Sequence, residues 1–527
     1  MTKFLLIAPQ AEDGSDFAGI AAADGRSLAR VAPVGIATVA ALAPAGVECI
    51  LHDEALEPVD FDAEVDFIGL SANVSQARRA IEIARKFRSR GKTVIVGGPH
   101  ITLDPEFFTG QYDVAVTGEF EEIAPAFYAD MQGGALKPRY DGGRPDLGLS
   151  PLPVWGAYDN DRALMGVAQT SRGCPFECNF CDVIQYLGRV QRHKTDAQVI
   201  AEVQQLYDLG YNRIMLADDN FTVYRRRATS LLQALAAWNG HDGRDFVTFA
   251  TQVSVDVGQS PELLELCAEA GLLTLFIGIE TVNEESLKEA QKRQNVGRDI
   301  IGRVERIVSN GLRVEAGLIV GFDADTTRIF EQQYEFAQRM PVGTFKISSL
   351  NAPVSTPLYA DMLAAGRIVA SPGKAFTAAD VETNIVPAQM SREELSLGTR
   401  WLISRLFSPD AFFERFCRIA GVLGPNPLLA RAKPYDPPGR ADANRRFARM
   451  IRELARADAE VASVVGKCRA MMRERPELRD GLGDIMTTWL LALHNFRQRG
   501  VYDADWARLP APPFDQVLSI PGCALSA

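Results

Sequence analysis

Three of the eight cysteines in this 527-residue chain fall within eight residues, at Cys174, Cys178 and Cys181. An apolar segment typical of a strand comes directly before them, and Gly173 and Pro175 favour a tight loop. Three thiolates on one loop can hold three corners of an iron–sulfur cube, whereas ordinary electron-transfer clusters use four cysteines. The fourth iron would then be open to another ligand, as one position of a catalytic zinc site is. The spacing therefore predicts a metal-cluster loop at the end of a strand.

Two other interpretations of the cysteines stay open from the residues alone. A zinc ion could use the same loop, with His193 or a distant cysteine as fourth ligand, although no CxxC partner follows elsewhere. The cysteines could also be a chance group of buried thiols. The other five cysteines are scattered, and we expect them to be small core residues.

The first 140 residues alternate strand and helix patterns, which predicts a doubly wound parallel sheet, that is, a Rossmann-like domain over residues 1–140. Ligands of such sheets bind at the carboxyl ends of the strands. The polar and glycine residues that follow these strands are Ser71, Asn73, Gly97, Gly98, Gly118 and Glu119. The strands are predicted at 4–7, 48–52, 67–71, 93–96 and 114–116.

A segment rich in proline and glycine, residues 141–161, is predicted to link this domain to a second alternation over residues 162–375. Six βα units there favour a partial (β/α)6 barrel, with chemistry at the carboxyl ends of its strands. Its strands are predicted at 164–170, 213–217, 248–251, 273–279, 313–319 and 344–350. The chain is therefore expected to be α/β in class through its first 375 residues.

Residues 376–527 read as a mainly helical C-terminal domain, which is locally basic although the whole chain carries a net charge of −11. Between residues 391 and 510, 21 basic residues meet 15 acidic ones, which fits either a solvated helical face or an anion-facing surface. The acidic average argues against a nucleic-acid partner. We expect no transmembrane segment, no signal peptide and a reducing cytoplasmic location, because no apolar run is long enough and the cysteines cluster.

The cysteine loop resembles the defining motif of the radical S-adenosylmethionine (SAM) superfamily. The resemblance implies a [4Fe-4S] cluster on Cys174, Cys178 and Cys181, SAM bound at the open iron, and Phe180 near the adenine. From segments at later strand ends, it also implies SAM-binding roles for Asp218, Asp219, Gln252, Ser254, Glu280 and Gly321. The residues alone leave other roles open, since Asp-Asp-Asn also caps helices and the others fit core, rim or packing positions.

A doubly wound domain before such a barrel resembles the cobalamin-binding architecture of the same superfamily. The matching pieces imply cobalamin contacts at Pro33, Gly35, Gly97, Gly98, Gly118 and Glu119. The Asp-x-His-x-x-Gly signature is absent, so binding without a protein imidazole ligand is implied, with Ser71 or Asn73 nearest the lower face of the corrin. His100 is more typical of a loop hydrogen-bonding residue. The alternative is a vestigial fold that binds no cobalamin.

Further segments, 290–295 and 321–325, together with the helical tail, resemble the subfamily that contains the hopanoid C-2 methylases. The resemblance implies a methyltransferase that forms a 5′-deoxyadenosyl radical, abstracts hydrogen from an unactivated carbon and transfers a methyl group from methylcobalamin. It implies a small-molecule or lipid substrate, bound between the first two domains, and a flavodoxin or ferredoxin electron donor. A radical rearrangement, cyclisation or oxidation without methyl transfer, and a non-catalytic iron–sulfur or cobalamin sensor, remain alternatives.

Overall fold

The computed structural model describes residues 1–11, 19–21, 27–370, 376, 380–429, 431–437 and 440–515. The strands up to residue 141 are β1 (Thr2–Ala8), β2 (Gly19–Ala21), β3 (Ser27–Val31), β4 (Val47–Asp53), β5 (Phe67–Ser71), β6 (Thr93–Gly97), β7 (Val114–Thr117) and β8 (Arg139–Asp141). The helices among them are α1 (Val34–Ala41), α2 (Ala77–Arg88), α3 (Pro99–Leu103) and α4 (Ala124–Gln132).

Six of these strands form an all-parallel sheet in the order β4-β1-β5-β6-β7-β8. Strand β1 is apolar on both faces because each face is covered: Phe4 and Leu6 pack on the side of α1 and α4, and Leu5 and Ile7 on the side of α2. The predicted doubly wound parallel sheet is confirmed. Its polar strand ends lie together along one edge.

The middle of the chain builds the second sheet. Its strands are β9 (Ala163–Ala168), β12 (Arg213–Leu216), β13 (Thr248–Val253), β14 (Leu272–Glu280), β15 (Arg313–Val320) and β16 (Thr344–Ser349). A separate two-stranded sheet is formed by β10 (Ser171–Arg172) and β11 (Arg192–His193). The helices of this part of the chain are α5 (Val183–Tyr186), α6 (Asp196–Asp208), α7 (Arg225–Trp238), α8 (Pro261–Ala270), α9 (Glu284–Glu289), α10 (Ile300–Ser309), α11 (Ile329–Arg339) and α12 (Pro357–Ala364).

The sheet order is β16-β15-β14-β13-β12-β9-β3-β2. Six strands are those predicted for the partial barrel, and each lies within two residues of its predicted ends. The sequence did not reveal that β3, from the segment before α1, pairs in parallel with β9, or that β2 extends this edge. The two sheets are thus joined by a strand as well as by the connection after β8.

The C-terminal region is helical, as predicted, with α13 (Arg392–Phe407), α14 (Pro409–Val422), α15 (Ala441–Leu454), α16 (Ala459–Glu474) and α17 (Arg479–Gln498). Helix α13 begins with a capping box between Ser391 and Glu394. Asp484 of α17 pairs with Arg213 at 2.7 Å and Arg313 at 3.3 Å, and these arginines begin β12 and β15. Helix α17 therefore covers the amino-terminal end of the barrel, opposite the edge where chemistry is expected.

Candidate functional site

The carboxyl edges of the two sheets face each other across one cavity of about 460 Å³. Predicted site residues that line it are Gly35, Ser71, Gly97, Gly98, Gly118 and Glu119 from the domain of the first sheet and Asp218, Asp219 and Gln252 from that of the second. Arg172 and Tyr186, from the segment that carries the cysteines, complete the wall between them. Residues that are far apart in the sequence therefore meet at one site.

The first wall of the cavity is built from bare backbone. Gly98 has φ of +100°, and a Cβ there would lie 2.8 Å from the backbone N and O of Ala72. Gly118 has φ of +72°, and a Cβ there would lie 2.0 Å from the carbonyl oxygen of Gly142. Thr102 fixes this geometry because its hydroxyl donates to Gly98 O and accepts from Gly118 N. Only glycine fits these two positions.

Two residues predicted for this wall lie elsewhere. The Asn73 side chain accepts hydrogen bonds from the amide and hydroxyl of Ser75, at 2.9 and 2.7 Å, and so caps a short 3₁₀ turn. Pro33 is the residue before α1. His100 is buried against Phe107 and Phe108, where burial lowers its pKa to about 4 and keeps the imidazole neutral. Of the two candidates for the lower face, Ser71 is the one that reaches the cavity.

The cysteine loop begins at a two-stranded hairpin, β10 with β11. Gly173 has φ of +97°, and a Cβ there would lie within 3 Å of the carbonyl oxygens of Gly188 and Val190. Cys174 N donates to Gly188 O at 3.2 Å, and Cys181 N donates to Cys178 O at 3.1 Å. The chain thus makes a tight loop that carries one buried and two half-buried thiols.

Asp218 and Asp219 are neighbours with different surroundings. Asp218 is fully buried and accepts four hydrogen bonds, from the amides and hydroxyls of Thr170 and Ser171, at 2.5 to 3.1 Å. Asp219 accepts one, from Gly173 N at 2.9 Å, and burial raises its pKa to about 6. Asp218 therefore shapes the start of the cysteine loop, and Asp219 has acceptor capacity left for a cation in the cavity.

The other predicted SAM-binding residues surround the cysteine loop. Gln252, the last residue but one of β13, has an exposed side chain at the cavity, whereas Ser254 is buried and accepts from Asn220 at 2.7 Å. Phe180 packs edge-on against Phe322, 6.3 Å between ring centres. Gly321, with φ of +101°, packs under Leu395, and Glu280 pairs with Lys292. Ser254, Phe180, Gly321 and Glu280 do not line the cavity.

Comparison with protein families identifies both halves of this site. The profile of the radical SAM superfamily matches residues 169–337, and that of the B12 binding domain matches residues 24–128. The chain joins a B12-binding domain to a radical SAM domain. The radical SAM domain and the cobalamin-binding domain that the sequence predicts are both confirmed.

Several curated proteins are similar to the chain. An uncharacterised methyltransferase of Synechocystis is 33% identical over 296 residues, covering 55% of this chain and 54% of that protein. The hopanoid C-2 methylase of Rhodopseudomonas palustris is 28% identical over 360 residues, covering 67% and 66%. The chain thus spans between about half and two thirds of the length of these relatives.

Two solved structures share the fold. The radical S-adenosylmethionine methyltransferase TsrM from Kitasatospora setae, with cobalamin and a [4Fe-4S] cluster bound, matches with a TM-score of 0.56, 15% identity and coverage of 71% of this chain and 80% of that one. The cobalamin-dependent S-adenosylmethionine radical enzyme OxsB matches with a TM-score of 0.59, 14% identity and coverage of 95% and 80%.

Cobalamin fits the wall that the B12-binding domain contributes. Gly97, Gly98 and Gly118 present backbone to the cavity, which extends beside the sheet between apolar side chains that include Phe4, Leu6 and Phe127. Apolar walls of this kind suit the apolar parts of a bound cofactor better than its charged groups. No histidine lies among the described residues that line the cavity.

A [4Fe-4S] cluster fits the cysteine loop of the radical SAM domain better than a single ion does. Among the described residues, no three His, Cys, Asp or Glu side chains are close enough to share one metal ion, as the zinc alternative requires. His193, the ligand proposed for zinc, packs against Tyr224 instead. Burial raises the pKa of Cys174 and raises that of Cys181 to about 12, so both thiols must lose protons when metal binds.

Sequence reasoning missed a buried charge network between the two domains. Both carboxylate oxygens of Glu119 are in ion pairs, with Arg172 at 2.6 Å and with Arg192. Arg172 also pairs with Glu121 at 2.7 Å. Arg172 and Arg192 face each other across the hairpin that starts the cysteine loop. Glu119, predicted as a cofactor contact, therefore holds the B12-binding domain against that loop; the partners lie over 50 residues away, so no local pattern signals them.

Proposed function

We propose that the chain is a cobalamin-dependent radical SAM methyltransferase that methylates an unactivated carbon. One observation carries the proposal: the glycine wall of the B12-binding domain lines the same cavity as Asp219 of the radical SAM domain and as Arg172 and Tyr186, which flank the cysteine loop. A methyl carrier and a radical source must both reach the substrate carbon, so a single shared cavity is what the reaction needs. The curated relatives that are named as methyltransferases support it.

Each part of the cavity has a definite task in this proposal. When bound, the cluster with SAM supplies a carbon radical, and cobalamin supplies a transferable methyl group. Cys174, Cys178 and Cys181 hold the cluster, and Asp219 orients SAM by accepting from its ammonium group. Gln252 offers an amide beside it. The apolar walls exclude water from a reactive radical.

The substrate, electron donor and location are finer parts of the proposal. We expect a small molecule or a lipid, and the similarity to a hopanoid methylase supports a polycyclic lipid. A flavodoxin or ferredoxin would supply low-potential electrons. The seven described cysteines are free thiols, which supports a reducing compartment, the cytoplasm. No described helix is long and apolar enough to cross a bilayer.

The test is anaerobic reconstitution with iron, sulfide and hydroxocobalamin, followed by turnover with SAM, a strong reductant and candidate lipids. We expect 5′-deoxyadenosine and S-adenosylhomocysteine to form together with a methylated product. Deoxyadenosine without S-adenosylhomocysteine would favour rearrangement, cyclisation or oxidation over methyl transfer. Neither product under any condition would favour the sensor alternative.

A matched pair of cysteine variants separates cluster chemistry from general damage. Cys178→Ala is expected to abolish deoxyadenosine formation and to lower the bound iron sharply, because it removes a cluster ligand. Cys417→Ala removes a half-buried thiol of α14 and is expected to behave as the wild type. Equal iron content in the two variants would contradict the ligand assignment.

A further inference from the structure

The segment 289–295, which follows α9, lies directly against the cysteine loop. Asn179, between the second and third cysteines, donates from its backbone amide to Ala290 O at 3.1 Å and from its side chain to Glu289 O at 3.0 Å. Asn295 anchors the other end of the segment by donating to the carbonyls of Gly278 and Ile279, both at 3.0 Å. The segment is therefore fixed both to the barrel and to the loop.

One side chain of this segment contacts a cluster ligand, and a second places a positive charge near two of these ligands. The Gln294 side-chain amide donates to Cys178 Sγ at 3.8 Å, while its oxygen is buried without a hydrogen-bond partner in the described structure. Lys292, two residues before Gln294 on the same anchored segment, is half-buried, and its ammonium is near enough to Cys178 and Cys181 to interact with them electrostatically. Hydrogen bonds and positive charge at the sulfurs are the protein's means of setting a cluster's potential.

Glu280 holds the Lys292 ammonium in this place. The two groups pair at 2.6 Å, with side chains that are only 8% and 14% exposed. Glu280 ends β14 with φ of +69°, where the pairing with β15 shifts register. A left-handed conformation at a non-glycine residue is strained and is commonly found at functional sites. The backbone is thus bent at the residue that positions the lysine.

We propose that Lys292 and Gln294 raise the reduction potential of the cluster and that Glu280 moderates the effect of Lys292. This proposal rests on the proposed function, since it requires the cluster, and it names the residues that set the cluster's potential. Reduction adds one electron from an external low-potential donor, so [4Fe-4S]²⁺ becomes [4Fe-4S]⁺. The added negative charge is stabilised by a nearby ammonium and by an N–H directed at sulfur, most strongly where water is excluded.

The proposal predicts shifts of opposite sign from the two members of one ion pair. Lys292→Met removes the positive charge and is expected to lower the midpoint potential. Glu280→Gln leaves the ammonium uncompensated and is expected to raise it. Gln294→Leu removes only a hydrogen bond and is expected to lower it by less than Lys292→Met does. A purely structural role would instead reduce cluster content in all three variants without opposite shifts.

The experiment is an EPR-monitored redox titration of the reconstituted full-length protein without SAM, with iron and sulfide content measured in parallel. Lys288→Met is the matched control, since this lysine of α9 is exposed and pairs with Glu285 on the surface. It is expected to keep the wild-type potential. If Lys292→Met does not load a cluster, Glu280→Gln and Gln294→Leu still decide the question.

Potentials that stay at the wild-type value in Lys292→Met and Glu280→Gln, or that move in the same direction, would overturn the proposal. A shift in Lys288→Met as large as that in Lys292→Met would do the same, because it would reflect only net charge. A wild-type protein that binds no cluster at all would refute the proposed function itself. The two failures are therefore distinguishable.

Discussion

Replacing Asp218 by alanine should loosen the start of the cysteine loop far more than the same change at Asp219. Asp218 accepts four hydrogen bonds, two of them from the backbone amides of Thr170 and Ser171. Both of these residues are at most 3% exposed, so water cannot replace the lost acceptor. Asp219 accepts a single amide, that of Gly173.

The magnitude follows from the number of donors that are left unpaired. A buried donor without a partner costs about 1–3 kcal/mol, and the two hydroxyls can rotate toward other acceptors while the two amides cannot. Asp218→Ala should therefore reduce the local opening free energy by about 4 kcal/mol. Since 1.36 kcal/mol corresponds to a factor of ten, amide exchange should become faster by about a thousandfold.

Hydrogen exchange followed by mass spectrometry is the suitable assay, because a chain with several domains need not unfold in one step. The peptide to follow contains Thr170 and Ser171. Asp219→Ala is the matched control, and its effect should be confined to Gly173 and reach about tenfold. The order should be reversed for SAM binding. Relative to its small effect on amide exchange, Asp219→Ala should weaken SAM binding more than Asp218→Ala does, because Asp219 has the acceptor that the cavity exposes.

Equal exchange in the two variants would refute the structural role of Asp218. So would an Asp218→Ala protein that keeps full protection at Thr170 and Ser171 but no longer binds SAM. That outcome would make Asp218, and not Asp219, the carboxylate that meets the ligand.

Three further predictions concern the B12-binding domain. Gly98→Ala should weaken hydroxocobalamin binding about tenfold or more, since its Cβ would lie 2.8 Å from backbone atoms of Ala72. Gly91→Ala is the control, because a Cβ at Gly91 would have nothing within 4 Å, and it should leave binding unchanged. Equal affinities of the two variants in titrations would contradict the role of the glycine wall. Burial raises the pKa of Asp53 from 3.8 to about 6, so the folded chain holds a proton that the unfolded chain releases, and stability should fall as pH rises from about 4 to 6, by up to ~3 kcal/mol. Urea titrations should show this slope absent in Asp53→Asn; an unchanged slope would refute it. Glu119→Ala should destabilise the domain contact by about 3–5 kcal/mol because Arg192 loses its carboxylate partner and Arg172 keeps Glu121 alone of its two, and limited proteolysis between the domains should accelerate; an unchanged digestion rate would show the network to be dispensable.

The sequence predicts most of the fold because its strands are short apolar runs that end in glycine or polar residues. Strand β14 is an example: its residues from Leu275 to Ile279 are apolar without interruption, and the structure buries Leu275, Ile277 and Ile279. The cysteine loop is equally predictable, since the spacing of Cys174, Cys178 and Cys181 is a local pattern. Both features depend on residues that are close together in the chain.

Other parts of the site depend on partners that only the fold brings together. Asp218 and Asp219 look equivalent in the sequence, and they differ only because Thr170 and Ser171 meet one of them. The position of Glu119 after a strand predicts a ligand contact, whereas the fold places Arg192 beside its carboxylate. Strand β3 was not predicted, because its five residues include Arg30 and show no clear alternation.

Cobalamin and the iron–sulfur cluster are proposed to bind beside one shared cavity, close enough to act on the same substrate carbon. The most direct test is EPR of the fully reconstituted protein, in which cob(II)alamin and the reduced cluster are both paramagnetic. Reduction of the cluster should broaden or split the cob(II)alamin spectrum through spin–spin coupling, and Cys178→Ala should abolish the effect. A cob(II)alamin spectrum unchanged by reduction of a fully loaded cluster would contradict the claim.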